Sequence, residues 1–253
     1  MCRHLAYLGP PVRLSELLFD PPHALVRQSW APREMRGGGT VNADGFGVGW
    51  YPAPGAPPAR FRRDRPLWSD SGFAQLASVT MSGGVLAAVR SATVGMPVVE
   101  SAVAPFTDAG WLFSHNGVIA GWPDSVTRLA GRLPVRDLLT MEAPTDSALL
   151  WALVRDRLRA NVSPATALVE TVTEVGRAAP GSRLNLLLTD GVTAAATTVG
   201  HSLWARRDGA AILLSSEPLD GHPAWAPLPD GQLIVASTAT LDVIALPNGG
   251  RPE

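Results

Sequence analysis

The sequence has 253 residues, of which 46% are hydrophobic and only 17% charged, and its formal net charge is −1. This composition supports a packed core and excludes an intrinsically disordered chain. All 21 basic residues are arginine, so a catalytic lysine is excluded, and the absence of net positive charge argues against a nucleic-acid partner. The lone cysteine excludes an intramolecular disulfide and a zinc site built from thiolates.

The apolar segments of the chain bear on its compartment. No N-terminal run is long enough for a signal peptide, and no stretch approaches the roughly 20 apolar residues of a membrane helix. We therefore expect a cytoplasmic protein with no membrane partner and a single domain over residues 2–253. The five histidines lack the spacing of metal ligands, so we expect no metal and no cofactor, and the oligomeric state stays open.

The predicted elements, in chain order, are strands, then two long helices, then more strands. A strand is expected at 2–8, a short helix at 14–19, and strands at 46–51, 84–90 and 110–114, with a loop at 52–58. Thr145 or Asp146 caps the first long helix, whose Leu150, Val154 and Leu158 form one apolar stripe, and Ser163-Pro164 opens the second, which ends near Gly176. Further strands are expected at 183–188, 192–199, 202–206, 210–215, 233–237 and 241–244, with hairpin turns at Asp190-Gly191 and Asp208-Gly209. Many antiparallel strands with two long helices predict an α+β layered domain.

Cys2 is the first residue that could carry chemistry. Removal of Met1 would give it a thiol and a free α-amine on the same residue. An α-amino group has a pKa of roughly 7.7–8.0, so at neutral pH a fraction of it is unprotonated and can accept the thiol proton. Such a residue is a nucleophile with its own general base. The alternative is a small core residue that happens to lie near the start.

Two further motifs, one rich in glycine and one with an arginine, are candidates for a binding role. Residues 42–51 form a glycine-rich turn into a strand, and without a following helix or a lysine this turn favours close backbone approach over phosphate binding. Arg90 leaves an apolar strand with Thr93 three residues later. This pair either clamps a carboxylate or forms a structural ion pair.

Two further motifs follow later in the chain. Asn116-Gly117 either forms a tight turn or sets a side-chain amide beside a backbone N–H, the donor pair that an oxyanion requires. Thr145-Asp146 either caps a helix or supplies a carboxylate to a site.

Together these residues resemble the class II glutamine amidotransferase domain, which has the N-terminal nucleophile hydrolase fold. The matches, in the family's order, are Cys2, Asp44-Gly45-Phe46-Gly47, Arg90 with Thr93, His115-Asn116-Gly117 and Thr145-Asp146, with later similarity at Ser216-Glu217-Pro218-Leu219. Each motif alone is weak, but their order over about 150 residues is specific. The resemblance implies a four-layer αββα sandwich of antiparallel sheets.

The resemblance also implies a role for each matched residue. Cys2 would attack a γ-glutamyl carbonyl, and Asn116 with the backbone N–H of Gly117 would form the oxyanion hole. Arg90, with Thr93, would hold the substrate α-carboxylate, and Asp146 would hold its α-ammonium. The partner implied is a small γ-glutamyl compound.

The chain departs from many members of the family at two places. Val94 stands where many have histidine after the Arg-x-x-Thr motif, and Ala104 stands where many have histidine before Pro-Phe. These changes point away from amidotransferases fused to synthase domains. The opening nine residues, together with residues 44–50 and 90–95, look most like the branch of the family that acts in ergothioneine biosynthesis and hydrolyses the γ-glutamyl amide of a hercynylcysteine sulfoxide conjugate.

That substrate would carry a trimethylammonium group, which aromatic faces attract. Trp30, Trp50 and Tyr51 are the candidate contacts for this tail, and the alternative is that most of the eight tryptophans anchor core or loops. Two other functions stay open. One is a stand-alone glutaminase, a general γ-glutamyl peptide hydrolase or an amidotransferase subunit, and the other is a non-catalytic relative that binds γ-glutamyl compounds.

Overall fold

The computed structural model describes residues 2–36 and 41–247. Its strands are β1 (Arg3–Arg13), β2 (Phe46–Trp50), β3 (Ala59–Arg63), β4 (Met81–Val89), β5 (Phe106–Asp108), β6 (Trp111–Val118), β7 (Arg183–Thr189), β8 (Thr193–Thr198), β9 (Trp204–Asp208), β10 (Ala211–Ser215), β11 (Ala226–Pro227), β12 (Gln232–Ser237) and β13 (Leu241–Ala245). Its α-helices are α1 (Ser15–Leu18), α2 (Leu25–Gln28), α3 (Ser71–Val79), α4 (Thr127–Ala130), α5 (Val135–Leu139), α6 (Asp146–Arg159) and α7 (Pro164–Ala178). Short 3-10 helices cover Leu67–Ser69, Glu100–Ala102 and Asp124–Val126.

The strands in the described part of the chain form two sheets. The first sheet has the order β11-β9-β10-β1-β4-β2-β3, and the second has the order β13-β12-β8-β7-β6-β5. Neighbouring strands pair in antiparallel fashion in both sheets. The first strand of the chain therefore lies in the middle of its sheet, between β10 and β4.

The period-2 alternation of each strand builds the layers. In β1, Leu5 and Tyr7 pack against residues of α1, α2 and α3, whereas Ala6 and Leu8 pack between the two sheets. The outer face of the second sheet packs against α6 and α7 in a separate core. The order of layers is helices, sheet, sheet, helices, which confirms the predicted α+β fold with an αββα sandwich.

The caps of the two long helices follow the predictions. The Thr145 hydroxyl accepts a hydrogen bond from Ala148 N at 3.3 Å and caps α6, so Asp146 is the first helical residue rather than the cap. The Ser163 hydroxyl accepts from Thr166 N at 3.2 Å and caps α7. The predicted turns Asp190-Gly191 and Asp208-Gly209 lie between β7 and β8 and between β9 and β10. Both glycines have positive φ, which suits tight hairpins.

The sequence prediction lacked several elements, most of them short, and the longer ones include β3 and α3. The loop at 52–58 joins β2 to β3, and the arginines of β3 hide its strand pattern. Arg60 and Arg62 are accommodated in this strand because both form ion pairs with Glu142, at 3.0 and 2.7 Å. Helix α3 was also missed, and its cap is the Asp70 carboxylate, which accepts from Phe73 N at 2.8 Å.

Strand β1 is longer than the predicted strand at 2–8. It continues through Pro10-Pro11 to Arg13. The register with β4 shifts between Leu8 and Val12, and prolines are accommodated at such an irregularity because a ladder hydrogen bond is already missing there.

Candidate active site

Cys2 lies directly before β1, at one end of the first sheet. The β1–β4 register pairs Arg3 with Val89, and continuing it by one residue brings Cys2 next to Arg90. The Cys2 thiol is partly buried and faces the Ser91 carbonyl oxygen at 3.8 Å. The antiparallel pairing thus unites two residues that the sequence separates by 88 positions.

The Asp44-Gly45 loop fixes the same end of β4. Arg90 N donates to the Gly45 carbonyl oxygen at 2.7 Å, and Asp44 N donates back to the Arg90 carbonyl oxygen at 3.0 Å. The Asp44 carboxylate also accepts from Ala92 N at 2.8 Å. Gly45 has φ +135°, and a Cβ there would lie 2.8 Å from the Arg63 carbonyl oxygen. Glycine is therefore required where this loop approaches the strand end, as expected for a close backbone approach.

Arg90 is a buried cation at this end of the sheet. Its Nη1 donates to the Pro97 carbonyl oxygen at 2.9 Å. Among the described residues, no carboxylate lies within ion-pair distance of Arg90, so the ion-pair alternative has no partner there. Thr93 is exposed and forms a turn in which Met96 N donates to its carbonyl oxygen at 2.9 Å.

Thr93 also lines a cleft of about 450 Å³. One wall consists of Thr93 and the three residues after it, and the other is residues 118–123 with Pro144. Trp122, half-buried, belongs to the second wall. This cleft opens between the loop that follows Arg90 and the loop that follows Gly117, so it lies beside the residues predicted to bind substrate.

Asn116 and Gly117 lie inside β6, not in the tight turn that an Asn-Gly pair favours. Their partners in β7 are Asn185 and Leu184. A Cβ on Gly117 would clash with the Arg183 carbonyl oxygen, so the close approach of β7 requires glycine.

The side chain of Asn116 is buried, and neither its Nδ2 nor its Oδ1 has a hydrogen-bond partner among the described residues. Asn185, directly across the ladder, is fully bonded: its Oδ1 accepts from Val199 N and His201 N, and its Nδ2 donates to the His201 carbonyl oxygen. A buried amide without a partner costs stability, so its retention points to a role in binding or chemistry.

His115 holds β6 against its neighbours. Its Nε2 donates to the Arg183 carbonyl oxygen at 3.0 Å, so Nδ1 accepts from the Ser147 hydroxyl at 3.0 Å. Burial lowers the pKa of His115 below its ordinary value, although the Asp146 carboxylate acts in the opposite direction. His115 and Ser147 line a narrow cleft together with Cys2 and Arg90.

Asp146 is a buried carboxylate at the start of α6. Its Oδ2 accepts from Ile119 N at 3.0 Å, and its Oδ1 accepts from Ser147 N at 2.7 Å. The helix N-terminus favours a negative charge at this position. The bond to Ile119 N ties the helix start to the chain just after Gly117, so Asp146 lies near the oxyanion donors predicted from sequence.

Comparison with known proteins assigns the chain to a family. A family model described as class II glutamine amidotransferases matches residues 17–208, more than half of the chain. This chain belongs to the class II glutamine amidotransferases. Its relatives include the gamma-glutamyl-hercynylcysteine sulfoxide hydrolase of Mycolicibacterium smegmatis, which is 42% identical over 97% of this chain and 100% of that protein. The protein of the same name from Mycobacterium tuberculosis H37Rv is 40% identical over all of both chains.

A solved structure of similar fold is that of a glutamine aminotransferase class-II domain protein from Silicibacter pomeroyi. It superimposes with a TM-score of 0.70 over 97% of this chain and 100% of that chain, at 23% identity. At this sequence identity the similarity shows only that the two proteins share a fold. Both relatives and the structure span essentially the whole of this amidotransferase chain.

The amidotransferase fold does not bring Trp50 and Tyr51 to Cys2. They lie at the far end of β2 from Gly45, about 20 Å away at the rise of an extended strand. The Trp50 side chain packs in the core with α1 to α3, and Tyr51 is only 5% exposed. Trp30 is different: it is 42% exposed, and Ser29 before it accepts from Asn42 N at 2.6 Å, near the Asp44-Gly45 loop.

His4 is a buried polar residue near Cys2 that the sequence reasoning did not single out. Strand alternation puts it on the same face of β1 as Cys2, between the sheets, where its Nδ1 lies 2.9 Å from the Ser114 hydroxyl. Its Nε2 has no hydrogen-bond partner within the described residues. Burial lowers the pKa of His4 to about 3, with smaller contributions from His115 and Arg3. The alternation of β1 would have been sufficient to find it.

Two further findings concern the described residues as a whole. No helix in them is long and apolar enough to cross a membrane. Within the same residues, no three His, Cys, Asp or Glu side chains are grouped so that they could hold a metal ion.

Proposed function

We propose that this protein hydrolyses the γ-glutamyl amide of γ-glutamyl hercynylcysteine sulfoxide and releases glutamate and hercynylcysteine sulfoxide. The observation that carries the proposal is the 40–42% identity, over essentially the full length, to hydrolases named for that substrate. The arrangement of Cys2, Arg90, Asn116 and Asp146 around one end of the sandwich supports it, because these groups complement a zwitterionic γ-glutamyl end.

In the proposed mechanism Cys2 is the nucleophile. After removal of Met1, its α-amine takes the thiol proton while Sγ bonds to the γ-carbonyl carbon. Asn116 Nδ2 and Gly117 N donate to the oxyanion that forms. The C–N bond then breaks, the amine leaves with the proton, and a thioester remains. Water attacks this thioester, releasing glutamate and restoring the thiol.

Arg90 and Asp146 position the substrate in this proposal. Arg90 is a buried cation with two guanidinium nitrogens beyond the one that holds Pro97, so it can receive the α-carboxylate, helped by Thr93 at the cleft. Asp146 would receive the α-ammonium, although its oxygens already accept from Ile119 N and Ser147 N. A carboxylate has about four acceptor sites, so the ammonium can be added to these two bonds.

The test is a hydrolysis assay on four compounds: glutamine, glutathione, a γ-glutamyl dipeptide and the sulfoxide conjugate. We expect kcat/KM for the conjugate to exceed that for glutamine by about 100-fold, because the tail contributes binding energy that glutamine lacks. A Cys2→Ala variant should bind the conjugate and release no glutamate. Equal rates on all compounds would favour the general γ-glutamyl hydrolase.

Two further measurements separate the remaining alternatives. A wild-type protein that retains Met1 by mass spectrometry and binds without turnover would favour the non-catalytic relative. Turnover by Cys2→Ala would contradict the thioester mechanism.

We also propose that Trp30 contacts the trimethylammonium tail. The Arg27 guanidinium already lies 3.8 Å from the centroid of its ring, so one face of Trp30 carries a cation and the other can receive the tail. Trp30→Leu should raise KM for the trimethylated conjugate by roughly 2-fold to 30-fold and spare the conjugate without the methyl groups. Trp68→Leu is the matched control, because Trp68 is equally exposed at 43% but lies in the short 3-10 helix before α3. Equal KM changes on both conjugates would contradict this role.

A further inference from the structure

Glu217 is a fully buried carboxylate directly beyond β10, and both of its oxygens are saturated with donors. Oε1 accepts from Arg3 Nε at 3.1 Å and from Glu34 N at 3.0 Å. Oε2 accepts from His23 Nε2 at 2.6 Å and from Arg33 N at 2.9 Å. Burial raises the pKa of Glu217, but the hydrogen bonds from His23, Arg33 and Glu34 and the charge of Arg3 outweigh it, so the pKa lies below its ordinary value. Glu217 is therefore held as an anion.

Arg3 connects this anion to the nucleophile. Its guanidinium is 1% exposed and uses three nitrogens in three directions. Nε donates to Glu217, Nη2 donates to the Glu34 carbonyl oxygen, and Nη1 donates to the Cys2 carbonyl oxygen at 3.1 Å. One rigid planar group thus joins Cys2, the segment at Glu34 and the Glu217 carboxylate.

This connection matters because Cys2 is outside the ladder of β1, which begins at Arg3. Chain termini fray unless they are tied down. Among the described residues, the thiol itself has only the long contact to the Ser91 carbonyl oxygen. The bond from Arg3 Nη1 therefore fixes the one peptide plane next to the thiol and the α-amine.

We propose that Glu217, acting through Arg3, is a positioning residue that sets the Cys2 thiol against the γ-carbonyl, and this rests on the proposed function. A buried ion pair contributes little stability compared with apolar packing of the same volume. The ion pair between Glu217 and Arg3 instead sets an orientation, because the carboxylate fixes the rotation of the guanidinium that holds the Cys2 carbonyl oxygen. In the proposed function the glutamyl end is recognised by Arg90, just after β4, and by Asp146, at the start of α6. Among the described residues neither shares a hydrogen bond with Arg3 or Glu217.

Two variants test the positioning role. Glu217→Gln keeps the shape but removes the charge, and Arg3→Lys keeps the charge but cannot reach all three partners. For each folded variant, kcat should fall by about 10-fold to 100-fold, since a misplacement near 1 Å costs rate to that extent. KM should stay within about 3-fold, because ground-state binding is unchanged.

Chemical labelling separates positioning from folding and from thiol reactivity. The single cysteine makes both reagents report on Cys2 alone. Inactivation by 6-diazo-5-oxo-L-norleucine, a reactive glutamine analogue that must align with the thiol, should slow as much as kcat. Alkylation by iodoacetamide, which needs no alignment, should change by less than about 3-fold.

The matched control is Asp137→Asn. Asp137 pairs with Arg155 at 3.0 Å in the opposite helix layer, so its loss lowers Tm but leaves kcat and both labelling rates unchanged. Unchanged kcat in folded Glu217→Gln and Arg3→Lys would overturn the proposal. An iodoacetamide rate that falls as far as kcat would also overturn it. Wild-type protein that releases no glutamate from the sulfoxide conjugate would instead overturn the proposed γ-glutamyl function.

Discussion

The two ends of the sandwich differ in what they bury. We name the end where β1 begins and β4 finishes the Cys2 end, and the end where β2 finishes and β4 begins the Tyr51 end. At the Tyr51 end, the Tyr51 side chain is tightly packed beside a surface cleft of about 400 Å³. The Tyr51 hydroxyl lies 2.8 Å from the carbonyl oxygens of Gly110 and Thr189. Gly191, at φ +87°, packs so closely that a Cβ would lie 2.6 Å from the ring. Burial raises the pKa of Tyr51 well above its ordinary value.

The Cys2 end buries polar and charged groups instead. They are Arg3, His4, His23, Arg90, Ser114, His115, Asn116, Asp146 and Glu217. Some of these form saturated networks, as Glu217 does, while His4 Nε2 and the Asn116 amide have no partner within the described residues. The comparison teaches that one end of the fold is optimised for stability, while the other tolerates unpaired polar groups that chemistry can use.

The largest expected effect that tests this comparison is at Asn116. Asn116→Ala should lower kcat/KM by about 100-fold to 1000-fold, as loss of one oxyanion donor does. It should leave Tm within about 2 °C, since the amide makes no hydrogen bond within the part of the chain that the structure describes. Steady-state kinetics and thermal unfolding check both.

Asn185→Ala is the matched control, one strand away at the same register. Because Asn185 accepts from Val199 N and His201 N, its loss should cost about 1–3 kcal/mol of unfolding free energy. If Asn116→Ala destabilises the protein as much as Asn185→Ala and retains activity, the contrast between paired and unpaired amides is wrong.

The next effect is at the Tyr51 end. Tyr51→Phe removes the hydroxyl that faces two buried carbonyl oxygens, so we expect a loss of about 1–3 kcal/mol in urea unfolding. The kcat/KM for the sulfoxide conjugate should stay at the wild-type value. A selective rise in KM for the trimethylated conjugate would show that Tyr51 contacts the tail and would break the division between the two ends.

A further test concerns the pH dependence of stability. Burial lowers the pKa of His4 and of His201 to about 3, in each case with smaller contributions from nearby arginines and His115. The unfolded chain binds a proton at each near pH 6.5, whereas the folded protein does not. Stability is therefore complete above about pH 6.5 and falls below it, by about 1.4 kcal/mol per pH unit for each histidine, until the folded pKa is reached.

Urea unfolding between pH 7.5 and pH 5 measures this slope. His201→Asn should reduce the slope by about one proton, whereas replacement of the exposed His222 by Asn should leave it unchanged. A wild-type slope in His201→Asn would show that the buried histidines are not the source of the acid sensitivity.

Much of the fold was predictable because its signals are local. The alternation of β1, the hairpin glycines and the caps Thr145 and Ser163 each act within a few residues. Strand β3 and helix α3 could not be predicted from the sequence. The strand carries arginines and the helix carries a glycine, at positions that only tertiary partners make favourable. Trp50 and Tyr51 are close to the glycine loop in sequence, but β2 places them at the opposite end of the strand from it.

The sequence by itself determined that a thiol stands at residue 2, that the chain alternates as an α+β protein, and that its motifs occur in the order of the class II amidotransferases. These properties depend only on residue types and on short spacings along the chain. Only the tertiary structure decided that Cys2 lies beside Arg90 and that Arg3 meets Glu217 across 214 residues. It also decided that Asn116 lies in a strand with an amide that has no partner among the described residues. The physical reason is that antiparallel pairing and buried ion pairs join distant segments, and their register and geometry depend on the whole packed molecule.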